Sequence, residues 1–101
     1  MRKVILYSGT MIRSFRSRAL AALWHSGDAS KVRPDLIKRL KVRLARLDAA
    51  TRPEQMNAAG FNFHRLRGQP TRYTVHVNGP WCLTFEWEGD DAVRVDFVQY
   101  H

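Results

Sequence analysis

Two histidines, a tyrosine and a group of arginines are the residues of this 101-residue chain best suited to chemistry. His64, Arg65, Arg67 and Arg72 crowd one short stretch, and Tyr100 and His101 end the sequence directly after the β-branched run around Val93, Val95 and Val98. Histidine titrates near pH 6.5, so it can take up and return a proton under neutral conditions. Arginine offers phosphate a planar and permanently charged fork. Cleavage of RNA without a metal needs a base for the ribose 2′-hydroxyl, cations for the charge developing on the phosphate, and an acid for the departing 5′-oxygen. Histidine and arginine together meet all three needs, and the reaction selects RNA because DNA lacks the attacking hydroxyl. Singly, the same residues also read as a surface histidine and a chain end that packs or frays. Their combination on a basic chain is what points to RNA.

Other chemistries fit less well. The sequence has no HxxxH or CxxC spacing, and its histidines are not bracketed by carboxylates, so no metal or other cofactor is expected. It has no glycine-rich phosphate loop and no GxSxG elbow. Cys82, the one cysteine, excludes an internal disulfide, and its place beside Trp81 in an apolar strand pattern reads as a buried, inert thiol on the face opposite Trp81. His25 and His76 read as structural or solvent-facing. No apolar run approaches the roughly 20 residues of a membrane span, so a soluble cytoplasmic protein without a membrane partner is expected.

Charge adds direction. Seventeen Lys and Arg against nine Asp and Glu give a formal net charge of +8, which draws the surface to polyanions. The first fifty residues hold 12 basic and 3 acidic residues, so the helical half is the expected anion-facing half. Within it Arg39, Arg43 and Arg46 fall on one helix face beside Lys38 and Lys41. That face is either an RNA contact, together with Arg65 and Arg72, or an ordinary solvated exterior.

These residues need a frame. At 45% hydrophobic the chain folds, and its length allows one domain. Val4 to Tyr7 reads as a short strand broken at Ser8-Gly9-Thr10. Met11 is a second candidate start, which makes residues 1–10 an extension ahead of a domain at 11–101. Met11 to Arg16 alternates like a strand. Ser17 caps a helix that carries Ala19, Leu20, Leu23 and Trp24 and closes at Gly27. Pro34 opens a second helix whose Leu36, Ile37, Leu40, Leu44 and Leu47 recur at helical spacing up to Ala50. A short helical stretch is expected at Glu54–Ala59. Beyond Gly60 the period becomes two, with strands at Phe61–Leu66, Arg72–Val77, Trp81–Trp87 and Ala92–His101. Short connections imply an antiparallel meander. Tyr73, Val75, Val77, Trp81, Leu83, Phe85, Val93, Val95 and Phe97 form the inward faces. The expectation is an α+β layer, in which an antiparallel meander with an N-terminal strand is packed on one face by two helices. Alternation turns His64 away from Phe61 and Phe63, so bringing it near Arg67 requires the strand to end or bulge near Leu66.

Met11 to Arg16, Phe63-His64-Arg65-Leu66-Arg67-Gly68, Arg72-Tyr73 through Val77-Asn78-Gly79-Pro80-Trp81 to Leu83-Thr84-Phe85, and the closing Gln99-Tyr100-His101 occur in an order that resembles the HigB toxins of bacterial toxin–antitoxin systems, in the RelE/ParE superfamily. The resemblance spans about residues 11 to 101. It implies a RelE/ParE-like fold and a ribosome-dependent mRNA endonuclease that cuts A-site codons and arrests translation. The implied partners are the 70S ribosome with mRNA and a helix-turn-helix antitoxin of the HigA kind. The implied catalytic positions are His64, Arg67, Tyr100 and His101.

Two positions depart from that pattern. Cys82 stands where an arginine often follows the strand tryptophan, which leaves the phosphate to Arg67 or Arg72. Gln99 stands where an acidic residue precedes the terminal pair. A non-catalytic ribosome or RNA binder, or a gyrase inhibitor of the ParE branch, is the alternative that the Cys82 departure leaves open.

Overall fold

The computed structural model describes residues 11–100. The strand expected at Val4–Tyr7 and the terminal His101 lie outside the described residues. Helix α1 is Arg18–Ser26, α2 is Pro34–Ala49, and a 3-10 turn covers Pro53–Met56. Strands β1 (His64–Arg65), β2 (Tyr73–Asn78), β3 (Trp81–Glu88) and β4 (Asp91–Gln99) follow. The strands form one antiparallel sheet in the order β1-β2-β3-β4, the expected meander.

Local chemistry sets the helix ends. The Ser17 hydroxyl accepts from the Leu20 N–H at 3.1 Å and satisfies one of the free donors of α1. Gly27 stops that helix in the left-handed region at φ +71°, where its N–H donates to the Leu23 carbonyl. Pro34 opens α2, since its missing N–H would have had no partner there. The leucines of both helices and the inward faces of β2 to β4 make one core, in which Leu20, Leu40, Leu44, Leu47, Leu83 and Phe85 are fully buried. An aromatic ladder of Phe63, Tyr73, Phe85 and Trp87 crosses the sheet on this side, with centroids 5.7, 5.8 and 6.2 Å apart.

Four expectations need correction. The helical stretch foreseen at 54–59 is the tight 3-10 turn Pro53–Met56. The strand foreseen at 61–66 is reduced to His64–Arg65, because Asn62 takes a positive φ of 47° that extended pairing excludes. Val93 is buried at 2% exposure, but on the face opposite the main core. Arg94 adopts φ +50° and creates a bulge, so Val93 pairs with Glu86 on the opposite face while Ala92, across from Trp87, takes the core position. Met11–Arg16 runs parallel to β4 through bridges Ile12–Ala92 and Phe15–Val95, but without strict alternation. Its inward residues, Ile12 and Phe15, are three apart because the bulge spaces Ala92 and Val95 in the same way.

The glycine at the end of α1 offers a direct check. A Cβ at Gly27 would meet no atom within 4 Å, so only backbone strain opposes it. Gly27→Ala should lower the unfolding free energy by about 1 kcal/mol in urea titration, with an unchanged denaturant slope.

Candidate RNA-binding and active face

The sheet face turned away from the helices is built in rows by the strand register, since paired residues point to the same side. His64, Thr74, Thr84 and Asp96 form one row across all four strands. His76, Cys82 and Val98 form the next, toward the β2–β3 hairpin. Two residues along β3 in the other direction lie Glu86 and its partner Val93. Thr74 is buried at 2% exposure and its hydroxyl has no hydrogen-bond partner.

Glu86 is the electrostatic centre of this face. It is 5% exposed, yet charged partners surround it. Arg72 Nη1 donates to it at 2.6 Å, Arg94 Nε at 2.7 Å, and Arg16 Nη2 lies 3.5 Å away. Burial opposes ionisation of this carboxyl, but the hydrogen bonds from Arg94 and Arg72 and their positive charge outweigh it, so its pKa lies below the ordinary value. Arg72 is also tied to the Thr84 hydroxyl at 2.8 Å and the Arg94 carbonyl at 3.0 Å. Arg94 Nη2 continues the network to Glu88 at 2.6 Å, and Arg13 joins Glu88 and Asp91.

The foreseen site residues are spread over the sheet and the helices. His64 is exposed on the outer row, its Nδ1 2.9 Å from the Asn62 carbonyl. Strand β1 ends at Arg65, as an approach of His64 to Arg67 requires, and exposed Arg65 and Arg67 line a loop cavity of about 300 Å³ with Gly68, Gln69 and Thr71. Among the described residues neither arginine has an ion-pair partner. Tyr100 follows β4 with its N–H on the Pro80 carbonyl at 2.7 Å, and the residue is 44% exposed. Alternation from Asp96 and Val98 carries it to the same face. His64 and Tyr100 share that face without touching, for β1 and β4 are the two edges of the meander, three strand spacings or about 14 Å apart. A ligand that engages both must span the sheet.

The helical basic face is smaller than foreseen. Arg43 is 6% exposed, with Nε donating to the His76 carbonyl at 2.7 Å, Nη1 to the Arg39 carbonyl at 3.3 Å and its guanidinium 4.3 Å from the Phe61 ring centre. Burial and the charge of Arg39 lower its pKa, and it is a structural clamp between α2 and β2, not a surface contact. The sequence carried that signal, since Leu36, Leu40, Arg43 and Leu47 share one helical stripe. Arg46 stays exposed but donates to the Gln55 carbonyl at 2.8 Å, while Lys38, Arg39 and Lys41 face solvent. Arg72, at 13% side-chain exposure, is an internal brace and not an open phosphate ligand. The sequence reading missed Arg16, Glu86 and Arg94. The period-two run Thr84, Glu86, Glu88 announces a polar outer face, but the bulge at Arg94 hides which β4 residue meets it.

Two helices beneath a four-stranded antiparallel meander, with a charged outer face, make the α+β architecture of the RelE-like toxins. Residues 13–101 match the family described as HigB-like toxin, the RelE-like toxin of the type II toxin-antitoxin system HigB, and the chain belongs to that family. It is 30% identical over 92 residues to Endoribonuclease HigB of Proteus vulgaris, a match that covers 90% of this chain and 100% of the relative. Membership in a type II system implies an antitoxin partner. Among the described residues no helix is long and apolar enough to cross a membrane, and no three His, Cys, Asp or Glu side chains group as a metal site.

Glu86 generates the prediction for this face. Its folded pKa is depressed, so the folded state binds fewer protons and its stabilisation is complete above the ordinary value of 4.5 and lost as pH falls through the folded value. Glu86→Gln should cost about 2 kcal/mol at neutral pH. The gap between variant and wild type should narrow below pH 4.5 in pH-resolved thermal unfolding.

Proposed function

We propose that this chain is a ribosome-dependent mRNA endonuclease that cuts A-site codons by metal-free attack of the ribose 2′-hydroxyl and so arrests translation. The observation that carries the reading is the common outer face of His64, Tyr100 and a set of arginines, on a chain 30% identical to an endoribonuclease. His64 and His101 share the roles of base and acid. Tyr100 orients the 2′-hydroxyl or the base. Arg67, exposed in its loop, takes the charge that develops on the phosphate, and Arg72 supports it from within the sheet. Arg65, Lys38, Arg39 and Arg46 add contacts to the RNA backbone, which bind through charge and without regard to sequence. The antitoxin is a helix-turn-helix protein of the HigA kind, and the place of action is the cytoplasm, where ribosomes are.

Half-buried Cys82 supports a second reading. It lies on the outer face in the row between His64 and Tyr100, where the family pattern has an arginine, and supplies no cation there. On that reading the chain occupies ribosomal RNA, or gyrase as in the ParE branch, without cutting mRNA.

Primer extension on a reporter mRNA in a reconstituted translation system separates the two. With wild-type protein and ribosomes, cuts at A-site codons are expected. Without ribosomes they should disappear, and with His101→Ala they should disappear while ribosome binding persists. Arrest of translation on intact mRNA would favour the binding reading.

A further inference from the structure

The carboxylate of Glu86 is outnumbered. Three guanidiniums converge on it, those of Arg16, Arg72 and Arg94, and the neighbouring Glu88 and Asp91 are shared with Arg13, so four arginines meet three carboxylates. Arg72 is enclosed, but Arg16 and Arg94 keep 49% and 42% of their side-chain surface open. Among the described residues Arg16 has only the 3.5 Å approach to Glu86, longer than a charge-assisted hydrogen bond. Its donors are therefore available to an outside anion.

The backbone holds these cations in place. Arg94 sits at φ +50°, in a region that L-residues seldom occupy, with its N–H on the Ser14 hydroxyl at 2.8 Å and its carbonyl on Arg72 at 3.0 Å. A non-glycine residue kept in that region by surrounding bonds is a frequent mark of a working site. The segment that carries Arg16 is fixed to β4 by the Arg16 N–H on the Val95 carbonyl at 2.8 Å. The cluster shares the outer face with His64, two strands across and two residues along, a span of about 12 Å. Cationic side chains held along one face track a sugar–phosphate backbone.

We infer that Arg16 and Arg94, held apart and oriented by Glu86, form a phosphate-binding subsite for single-stranded RNA on the outer face, at the end of the sheet away from Tyr100. The inference rests on the reading of this face as an RNA site. It deepens that reading by giving the bound strand an anchor about 12 Å from His64, at the end of the sheet away from Tyr100. Glu86 and Arg72 are positioning residues within the subsite. Arg16 carries the charge that the three carboxylates leave over and neutralises one phosphate, releasing counterions as it does so, while Arg94, already paired with Glu86 and Glu88, adds hydrogen bonds from its remaining donors.

The test is binding, independent of cleavage. Fluorescence anisotropy with a short unstructured single-stranded RNA, across a salt series at neutral pH, reports both affinity and the number of phosphates neutralised. Arg16→Gln should weaken binding several-fold and reduce the slope of log K against log salt by about 0.7. Arg16→Lys, which retains the charge, should restore the slope. Arg94→Gln should act in the same direction. Its loss of ion pairs also lowers the melting temperature, so its binding is measured well below the unfolding transition. An Arg16→Gln protein with wild-type affinity and slope would overturn the subsite, as would wild-type protein that fails to bind the RNA at all. Absence of mRNA cutting alongside a slope that depends on Arg16 would remove the endonuclease reading and leave the subsite standing.

Discussion

A carboxylate taken out of water must be met by positive charge, and Glu86 imposes that condition on the whole outer face. Its side chain lies between β2 and β4 at 5% exposure, so cations have to come from both neighbours and from the segment ahead of α1. Arg72 comes from the start of β2, Arg94 from a bulge in β4, and Arg16 from the edge segment. The bulge is part of the solution. By taking φ +50°, Arg94 turns its guanidinium to the Glu86 side while Ala92 and Val95 stay in the core. Edge residues Ile12 and Phe15 then repeat the same three-residue spacing. One buried charge thus couples the register of the last hairpin to the docking of the amino-terminal segment.

The two faces of the sheet divide the work. The inner face is apolar and closed by α1 and α2, and even its arginine, Arg43, is used to join helix to strand through the His76 carbonyl. The outer face carries His64 and the arginine network, and alternation brings Tyr100 to it. Because β1 and β4 are opposite edges, histidine and tyrosine are linked only through the rows between them. An RNA strand lying across those rows could reach both, which is why the proposed chemistry depends on a bound strand and not on a preassembled cluster of side chains. The ribosome would contribute by presenting that strand in the required path.

Much of the fold was readable because it follows from local rules. Ser17 and Gly27 bound α1, Pro34 opens α2, and the change of period after Gly60 announces the meander. The parts that were not readable come from side-chain reach and from positive φ. Asn62 cuts the first strand short, and Arg94 shifts the pattern of the last by one residue, which moves buried Val93 to the face opposite the helices. Charge sends Arg43 to the surface while its place in the stripe of Leu36, Leu40 and Leu47 points it inward, and the length of its side chain reconciles the two. At the candidate site His64 and Tyr100 were visible as residue types. The Glu86 network was not, since cross-strand partners depend on a register that the bulge alters.

The ends of the product tell whether this face cuts RNA through the 2′-hydroxyl. Programmed ribosomes carrying an mRNA with a single 2′-deoxy substitution at the cleaved nucleotide can be compared with the all-ribose message by mass spectrometry of the fragments. Attack by the 2′-hydroxyl leaves a 2′,3′-cyclic phosphate on the upstream fragment and a 5′-hydroxyl on the downstream one, and it should spare the substituted message. A 3′-hydroxyl with a 5′-phosphate, or undiminished cutting at the deoxy position, would contradict it, since the nucleophile would then be water and not the ribose.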